Sequence, residues 1–136
     1  MASSGYLPAN KSFMSGGIDL TTATIKVRMV RVSGYTFANT HATMTSIGAG
    51  VGTDVTLGTK LVNAGAVDGV FDAADAVFTA VTAGAAIDAC VIYKFGTIDG
   101  DSVPIMYLDG FSVTPNGGDI TLQWAAASPF IWKMNP

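Results

Sequence analysis

The chain has 136 residues, of which 49% are hydrophobic and only 12% are charged, and its net charge is −3 at pH 7. This length fits one domain, and the charge balance argues against a nucleic-acid-binding protein. All ten acidic residues are Asp, which favours turns and caps over helix interiors. Together with 16 glycines, this composition predicts an all-β protein whose strands are joined by tight turns.

The scarcity of charged residues also suggests how the surface of the protein is used. A soluble monomer usually spreads charge over its exterior, so we expect neighbouring subunits to cover part of this one. The opening stretch "MASSGYLPANKSF" lacks the apolar core of a signal peptide. No apolar stretch approaches the roughly 20 residues that span a bilayer. We therefore expect a soluble protein that is made in a cytoplasm and has no membrane partner.

Residues 1–17 are predicted to form an extended N-terminal arm, with apolar anchors at Tyr6, Leu7, Phe13 and Met14. Chain ends of this composition are normally frayed unless something holds them. We expect the arm to dock on the domain or on a neighbouring subunit. The domain itself then covers residues 18–136.

The first strand is predicted at residues 24–32, "TIKVRMVRV", because its polarity alternates. The apolar face carries Ile25, Val27 and Met29, and the basic face carries Lys26 and Arg28. The alternation slips at Met29–Val30, which predicts a bulge or burial on both faces. The cluster of Lys26, Arg28 and Arg31 is interpreted as solvated or salt-bridged.

The middle of the chain is less regular. Residues 33–54 are rich in turn formers and predict a long excursion with one short strand. The stretch "DVTLGTKLV" then predicts a strand that is interrupted at Gly58. Residues 72–86 fit a helix or a strand, and the alternation of apolar residues within them favours a strand. The segments "GVFDA" and "DAVFTAV" predict short strands whose core residues are Phe71, Val77 and Phe78.

Clearer strands follow at "AAIDACVIYKF", "VPIMYLDGF" and "NGGDITLQWAA", and "FIWKM" is the last predicted strand. In the third of these, Ile120, Leu122 and Trp124 point one way, and Thr121 and Gln123 point the other. About eight short strands separated by turn signals are typical of a sandwich or barrel. We expect a single-domain antiparallel β-sandwich, jelly-roll-like or Ig-like, with the extended arm at its N-terminus.

The acidic loop "GTIDGDS" separates two of these strands. An EF-hand calcium loop needs alternating oxygen ligands and a closing Glu, whereas here only Asp99 and Asp101 are present. Asp-Gly is a strong turn former because glycine readily adopts positive φ. The pattern favours an antiparallel hairpin over residues 91–109, and a weak metal site is the alternative.

Other reactive residues are few. His41 is the only histidine and is interpreted as a loop residue, although a spatial Ser–His–Asp arrangement stays open. Cys90 lies in an apolar run and is interpreted as a small buried hydrophobe. The glycine-rich residues 49–56 resemble one imperfect copy of a calcium-binding repeat that works only when stacked. Without Cys/His clusters there is no zinc pattern. The sequence predicts no enzyme and no cofactor.

The two tryptophans could be core residues or ligand platforms. Trp124 shares a face with two aliphatic residues and is predicted to be core. Trp132 is open to both interpretations and could also lie in a contact between subunits.

The order of motifs resembles a widespread family of small structural proteins of tailed bacteriophages. The resemblance covers roughly residues 16–126 and rests on seven segments. These are "GGIDLTTATIKVRMV", "GYTFANTH", "GTDVTLGTKLVN", "GVFDAADAVFTAVT", "ACVIYKFGT", "VPIMYLDGF" and "NGGDITLQWAA". Members of the family carry a similar opening strand and a closing "G-G-D-F-T-I-Q-W".

The chain departs from this family in three places. It lacks an acidic, helix-like segment before the opening strand, it has Phe78 where Trp is frequent, and it continues with the aromatic ending "AAASPFIWKMNP". The ends are therefore the part of the chain to which the resemblance transfers least.

The resemblance implies a virion component and no chemical step. The function that it favours is a capsid decoration (cement) protein, bound to the major capsid protein on the outer surface of the head, as a homotrimer. A tail or head–tail connector protein and a host-surface-binding module are the alternatives. The residues predicted to contact neighbouring subunits are Tyr6, Leu7, Phe13, Phe130, Ile131 and Trp132.

Overall fold

The computed structural model describes residues 2–62, 70–124 and 132–133. Within these ranges the chain forms ten strands and one α-helix, together with short 3₁₀ helices at Met44–Ser46 and Asp99–Asp101. The elements are β1 (Ala2–Gly5), α1 (Leu7–Met14), β2 (Ile25–Val30), β3 (Val51–Thr56), β4 (Leu61–Val62), β5 (Val70–Asp72), β6 (Ala76–Phe78), β7 (Ile87–Lys94), β8 (Val103–Val113), β9 (Ile120–Leu122) and β10 (Trp132–Lys133). The expectation of a predominantly β protein is confirmed.

The largest element is a five-stranded antiparallel sheet in the order β1-β8-β7-β2-β3. Its middle strand β7 is buried on both faces, since Cys90 and Ile92 are as inaccessible as Val91 between them. This explains why the sequence there reads as a nearly continuous apolar run. Smaller sheets are formed by β10-β5-β4 and by β6-β9.

The predicted hairpin over residues 91–109 is confirmed. Strands β7 and β8 are antiparallel neighbours, and their pairing runs from Lys94 opposite Val103 at the loop end to Ile87 opposite Val113. The loop between them contains the 3₁₀ helix Asp99–Asp101. The acidic residues of this loop therefore lie at the tip of a hairpin.

The predicted irregularity in β2 occurs slightly earlier than the alternation suggested. Pairing with β7 is continuous through the strand, but pairing with β3 shifts register between Val27 and Met29. The residue at this irregularity is Arg28, which is buried. The slip in alternation therefore reflects burial of both faces of the strand, including its charged member.

The strand prediction for part of residues 72–86 is confirmed at β6, but one of its predicted core residues is not buried. Phe71 and Phe78 are buried, whereas Val77 is 47% exposed. Successive residues of a strand face opposite sides, so the burial of Ala76 and Phe78 turns Val77 outward. The core prediction for Val77 was wrong for this reason.

The alternation in the strand that ends with Trp124 is confirmed. Ile120, Leu122 and Trp124 are buried, while Thr121 and Gln123 are exposed. Trp124 lies just beyond β9, where its indole Nε1 donates to the carbonyl of Ala74 at 3.0 Å. This hydrogen bond satisfies the polar end of a buried aromatic side chain.

The N-terminal segment is not the extended arm that its composition predicted. β1 pairs with β8 at one edge of the large sheet, and α1 follows with Tyr6 as its N-cap residue. Tyr6 and Ala9 are fully buried. The segment is held because these two side chains complete the hydrophobic core of the chain's own domain. No helix in the described part of the chain is long and apolar enough to cross a bilayer.

Candidate functional site

The residues predicted to contact neighbouring subunits have different positions in the structure. Tyr6 is fully buried within its own chain, which leaves none of its side chain for a neighbour, whereas Leu7 is 52% exposed. Phe13 is partly buried against the core. Trp132 pairs with Phe71 between β10 and β5. Phe130 and Ile131 lie outside the described residues.

An open groove of about 440 Å³ lies beside Phe13. Its walls come from the end of α1, from the turn that follows it and from β4. The lining residues are Phe13, Gly16, Ile18, Asp19, Leu20 and Val62. Exposed apolar side chains next to these residues in the chain are Met14 (84%) and Leu61 (51%). Two of the lining residues, Phe13 and Val62, thus have a strongly exposed apolar residue beside them in the sequence.

The turn after α1 explains why these residues meet. The helix ends at Met14, and Gly16, which follows the C-cap residue Ser15, has a φ of +79°, a conformation that favours glycine. Asp19 then fixes the next turn, since its Oδ1 accepts hydrogen bonds from the backbone N–H and the hydroxyl of Thr21 at 2.9 and 2.7 Å. These bonds hold the pKa of Asp19 below its usual value. The rim of the groove thus carries a carboxylate at neutral pH.

A second cluster of chemistry-bearing residues is built around Arg28. Its Nε donates to both carboxylate oxygens of Asp54, at 3.2 and 2.9 Å. Its two terminal nitrogens donate to the two oxygens of Asp99, at 3.1 and 2.9 Å. A further hydrogen bond of 2.8 Å reaches the carbonyl of Gly48. The Tyr93 hydroxyl donates to Asp54 Oδ2 at 2.5 Å. We call these residues the Arg28 cluster.

The Arg28 cluster stabilises the ionised form of its members. Burial lowers the pKa of the Arg28 guanidinium, but hydrogen bonds to Asp99 and Asp54 outweigh burial and raise that pKa above its ordinary value. The hydrogen bond from Arg28 lowers the pKa of Asp99. Burial, followed by the hydrogen bond to Asp54, raises the pKa of Tyr93. The cluster joins β2, β3, β7 and the hairpin tip, and its polar atoms are used in holding these elements together.

The remaining basic residues near Arg28 are also engaged. The Lys26 ammonium lies 3.9 Å from the centre of the Phe95 ring, and Arg31 donates to the carbonyl of Ala85 at 3.1 and 3.0 Å. The interpretation of Arg28 as a salt-bridged residue is confirmed. The basic face of β2 is therefore an internal connection of the fold.

His41 lies in an aromatic cluster close to the N-terminal segment. Its Nδ1 is 2.8 Å from the Tyr35 hydroxyl, which in turn is 2.9 Å from the Tyr6 hydroxyl. Phe37 stacks on Tyr107 with 5.1 Å between ring centres, and it meets Tyr6 edge-on at 5.0 Å. His41 thus belongs to a hydrogen-bonded chain that leads into the core.

Cys90 is buried as predicted, and burial raises the pKa of its thiol to about 12. A thiol in this state is a poor nucleophile and a poor metal ligand. Within residues 2–62, 70–124 and 132–133, no three His, Cys, Asp or Glu side chains are grouped as metal ligands would be. Of the two acidic residues in the hairpin loop, Asp99 accepts hydrogen bonds from Arg28 and belongs to the Arg28 cluster.

Only some of these residues could be predicted from the sequence. The sequence pattern pointed to Phe13 and to the region of Arg28, but it gave no indication that Ile18, Leu20 and Val62 line a groove. The groove combines segments that lie more than forty residues apart in the chain, and no periodicity connects them. The apolar character of β4 was the one available signal, since both of its residues are exposed.

No known protein family, no curated protein and no solved structure matches this chain.

Proposed function

We propose that this chain is a non-enzymatic structural protein of a bacteriophage virion. In this proposal it is a capsid decoration (cement) protein that binds the major capsid protein on the outer surface of the assembled head. The proposal includes a homotrimeric state and the finer assignment of the fold as a jelly-roll-like or Ig-like sandwich. Its sequence support is the ordered series of seven motifs between residues 16 and 126.

The observation that carries the proposal is the open groove with its apolar lining. Phe13, Ile18, Leu20 and Val62 line the groove, and Met14 and Leu61, which adjoin two of these residues in the sequence, are 84% and 51% exposed. Exposed apolar patches of this kind mark sites of protein–protein interaction. A cement protein needs such a surface because its function is to add contact area to a shell.

The engagement of the polar side chains supports the same function. Arg28 and its two carboxylate partners are bonded to one another, His41 contacts Tyr35, and Cys90 is buried. Among the described residues, no buried side-chain nitrogen or oxygen lacks a hydrogen-bond partner. These groups serve the fold, which favours a function that depends on contact and not on a chemical step.

A matched pair of substitutions tests the role of the groove. Val62 and Val77 are both strand residues and are 48% and 47% exposed, but only Val62 lines the groove. We expect Val62→Asp to weaken binding to purified capsids by about tenfold, as loss of a central interface contact does. Val77→Asp should bind as the unmodified chain does. Co-sedimentation with capsids gives both affinities, and thermal unfolding verifies that both variants fold.

Two comparisons distinguish the cement function from its alternatives. Binding to closed shells should be much tighter than binding to isolated shell subunits, because a lattice multiplies weak contacts. Purified virions should contain hundreds of copies of the protein in their heads, as repeated decoration of a lattice requires. A handful of copies found only in tails would replace the cement function with the tail or connector alternative. Equal capsid binding by both valine variants would show that the groove does not contact the capsid.

A further inference from the structure

The side chains of Tyr6, Tyr35 and His41 form a continuous hydrogen-bonded chain. The Tyr6 and Tyr35 hydroxyl oxygens are 2.9 Å apart, and the Tyr35 oxygen is 2.8 Å from Nδ1 of His41. Tyr6 is fully buried, Tyr35 is 6% exposed and His41 is half-buried. The chain therefore runs from a partly accessible imidazole to a hydroxyl in the core.

The burial of Tyr6 fixes the direction of this chain. In the described part of the protein, the hydroxyl of Tyr35 is the hydrogen-bond partner of the Tyr6 hydroxyl, and a buried hydroxyl proton needs an acceptor. Tyr6 must therefore donate to Tyr35. Tyr35 is then free to donate its own proton to His41, which makes Nδ1 of His41 the acceptor; the latch depends on this arrangement.

Protonation of His41 is incompatible with this direction. Both nitrogens of a charged imidazole are donors, so Nδ1 would have to donate to the Tyr35 oxygen. If Tyr35 then donates to Tyr6, the buried Tyr6 proton loses its acceptor. If Tyr35 keeps its orientation, its proton faces the imidazolium and the bond to His41 breaks. If the Tyr35 oxygen accepts from both neighbours, its own proton, on a side chain that is 6% exposed, is left without an acceptor. Each outcome costs the chain one hydrogen bond between Tyr6 and the loop that carries Tyr35 and His41.

Tyr6 is the residue at which the N-terminal segment is attached. It connects β1 to α1, and its backbone N–H donates to the carbonyl of Ile105 in β8 at 3.2 Å. The next residue, Leu7, donates to the carbonyl of Asn39 at 2.8 Å, two residues before His41. Loss of a hydrogen bond at the Tyr6 hydroxyl therefore affects the point at which β1 and α1 are attached to the rest of the fold.

We propose that the Tyr6–Tyr35–His41 chain is a pH-sensitive latch that holds β1 and α1 on the large sheet and loosens them when His41 gains a proton. This inference is independent of the proposed function. The latch depends on the direction of two hydrogen bonds and on the complete burial of Tyr6.

The other charged groups near the latch are two carboxylates and two cations. Asp88 and Asp109 lie close enough to Tyr107, which packs against Tyr35, to raise the pKa of Tyr107 together with its burial. Arg31 is bonded to Ala85, and Lys11 is the charged residue of α1. His41 is the only histidine in the sequence, so a change in imidazole charge involves this residue alone.

Backbone amide exchange tests the latch. Protection of residues 2–14, corrected for intrinsic rates, is measured at about pH 7.5 and about pH 5.5, either side of the range in which histidine titrates. We expect protection of this segment to fall about tenfold at the lower pH, as loss of one buried hydrogen bond does, while β7 keeps its protection. His41→Asn is the matched variant, because the Asn side-chain oxygen can accept the same hydrogen bond without titrating. Its protection should be the same at both values.

A second measurement does not depend on any variant. The nitrogen chemical shifts of the single imidazole report which nitrogen carries the proton, and the direction of the chain requires the proton on Nε2 at neutral pH. A proton on Nδ1 would overturn the proposal. Equal protection of residues 2–14 at both pH values would overturn it as well, and so would an equal loss in the unmodified chain and in His41→Asn.

Discussion

Arg28 binds the carboxylate of Asp99, 71 residues later in the chain, through two parallel hydrogen bonds of 2.9 and 3.1 Å. The same guanidinium binds Asp54, so one buried cation holds two carboxylates from two different parts of the fold. The side chain of Asp54 is 17% exposed and that of Asp99 is 46% exposed. This difference in exposure sets the expected cost of removing each partner.

Asp54→Asn should destabilise the fold by about 3 kcal/mol, because the buried guanidinium loses the more deeply buried of its two carboxylate partners and keeps only the more exposed Asp99. It also weakens the acceptor of the Tyr93 hydroxyl. The free energy of unfolding from urea denaturation measures this cost. Asp101→Asn is the control, since Asp101 is an exposed neighbour of Asp99 outside the Arg28 cluster and should change the free energy by less than about 0.5 kcal/mol. A cost for Asp54→Asn no larger than that of the control would contradict this account of the cluster.

Asp99→Asn should cost less, about 1 kcal/mol, because solvent screens a half-exposed ion pair. The cost should depend on pH, since the hydrogen bond from Arg28 lowers the pKa of Asp99. A lowered carboxyl pKa contributes stability above the ordinary value of about 3.9, and that contribution is lost as the pH falls through the folded-state value. The difference in unfolding free energy between the unmodified chain and Asp99→Asn should be constant above about pH 5 and should shrink below about pH 4. If this difference in unfolding free energy grew on acidification, the lowered pKa of Asp99 would be contradicted.

Trp124→Ala should cost about 3–5 kcal/mol, as large-to-small changes in a core do. The side chain is 8% exposed, and its loss also leaves the Ala74 carbonyl without its indole donor. Thr121→Ala, on the exposed face of the neighbouring strand β9, should be close to neutral. Chemical denaturation of both variants measures the contrast. A loss below roughly 1 kcal/mol for Trp124→Ala would mean that Trp124 is not part of the core.

Gly96→Ala should destabilise the β7–β8 hairpin by about 3 kcal/mol, because a methyl group there would overlap the backbone carbonyl of Asp101. The close approach also allows the Gly96 N–H to donate to the Ser102 hydroxyl at 3.0 Å. Gly58→Ala is the matched control, since a Cβ at Gly58 meets nothing within 4 Å. It should be neutral or stabilising by up to about 1 kcal/mol, through the reduced entropy of the unfolded chain. Equal thermal stability of the two variants would show that the loop can open at no cost.

The sequence was sufficient to predict those parts of the fold in which the local pattern of apolar residues matches their burial. The absence of Glu and the abundance of Gly favoured strands and turns, and the structure is mostly β. Two apolar runs around a short acidic loop predicted the β7–β8 hairpin, although the turn differs from the expected Asp-Gly turn: Gly100 lies in the 3₁₀ helix, and the residue of the loop with positive φ is Thr97. The alternation from Ile120 to Trp124 predicted which side chains are buried, since the period of a strand is two residues.

The tertiary structure alone decided the features that depend on distant partners. The composition of residues 1–17 predicted an extended arm docked on the domain or on a neighbour, but β8 supplies an edge for β1 and the aromatic cluster supplies a site for Tyr6 within the same chain. The sequence left open whether Arg28 is solvated or salt-bridged, because its two carboxylates lie 26 and 71 residues away. The groove joins Phe13 to Val62 across the fold. In each case the feature is stabilised by contacts between segments that lie far apart in the sequence. Local periodicity does not relate such segments, and their contacts exist only once the chain has folded.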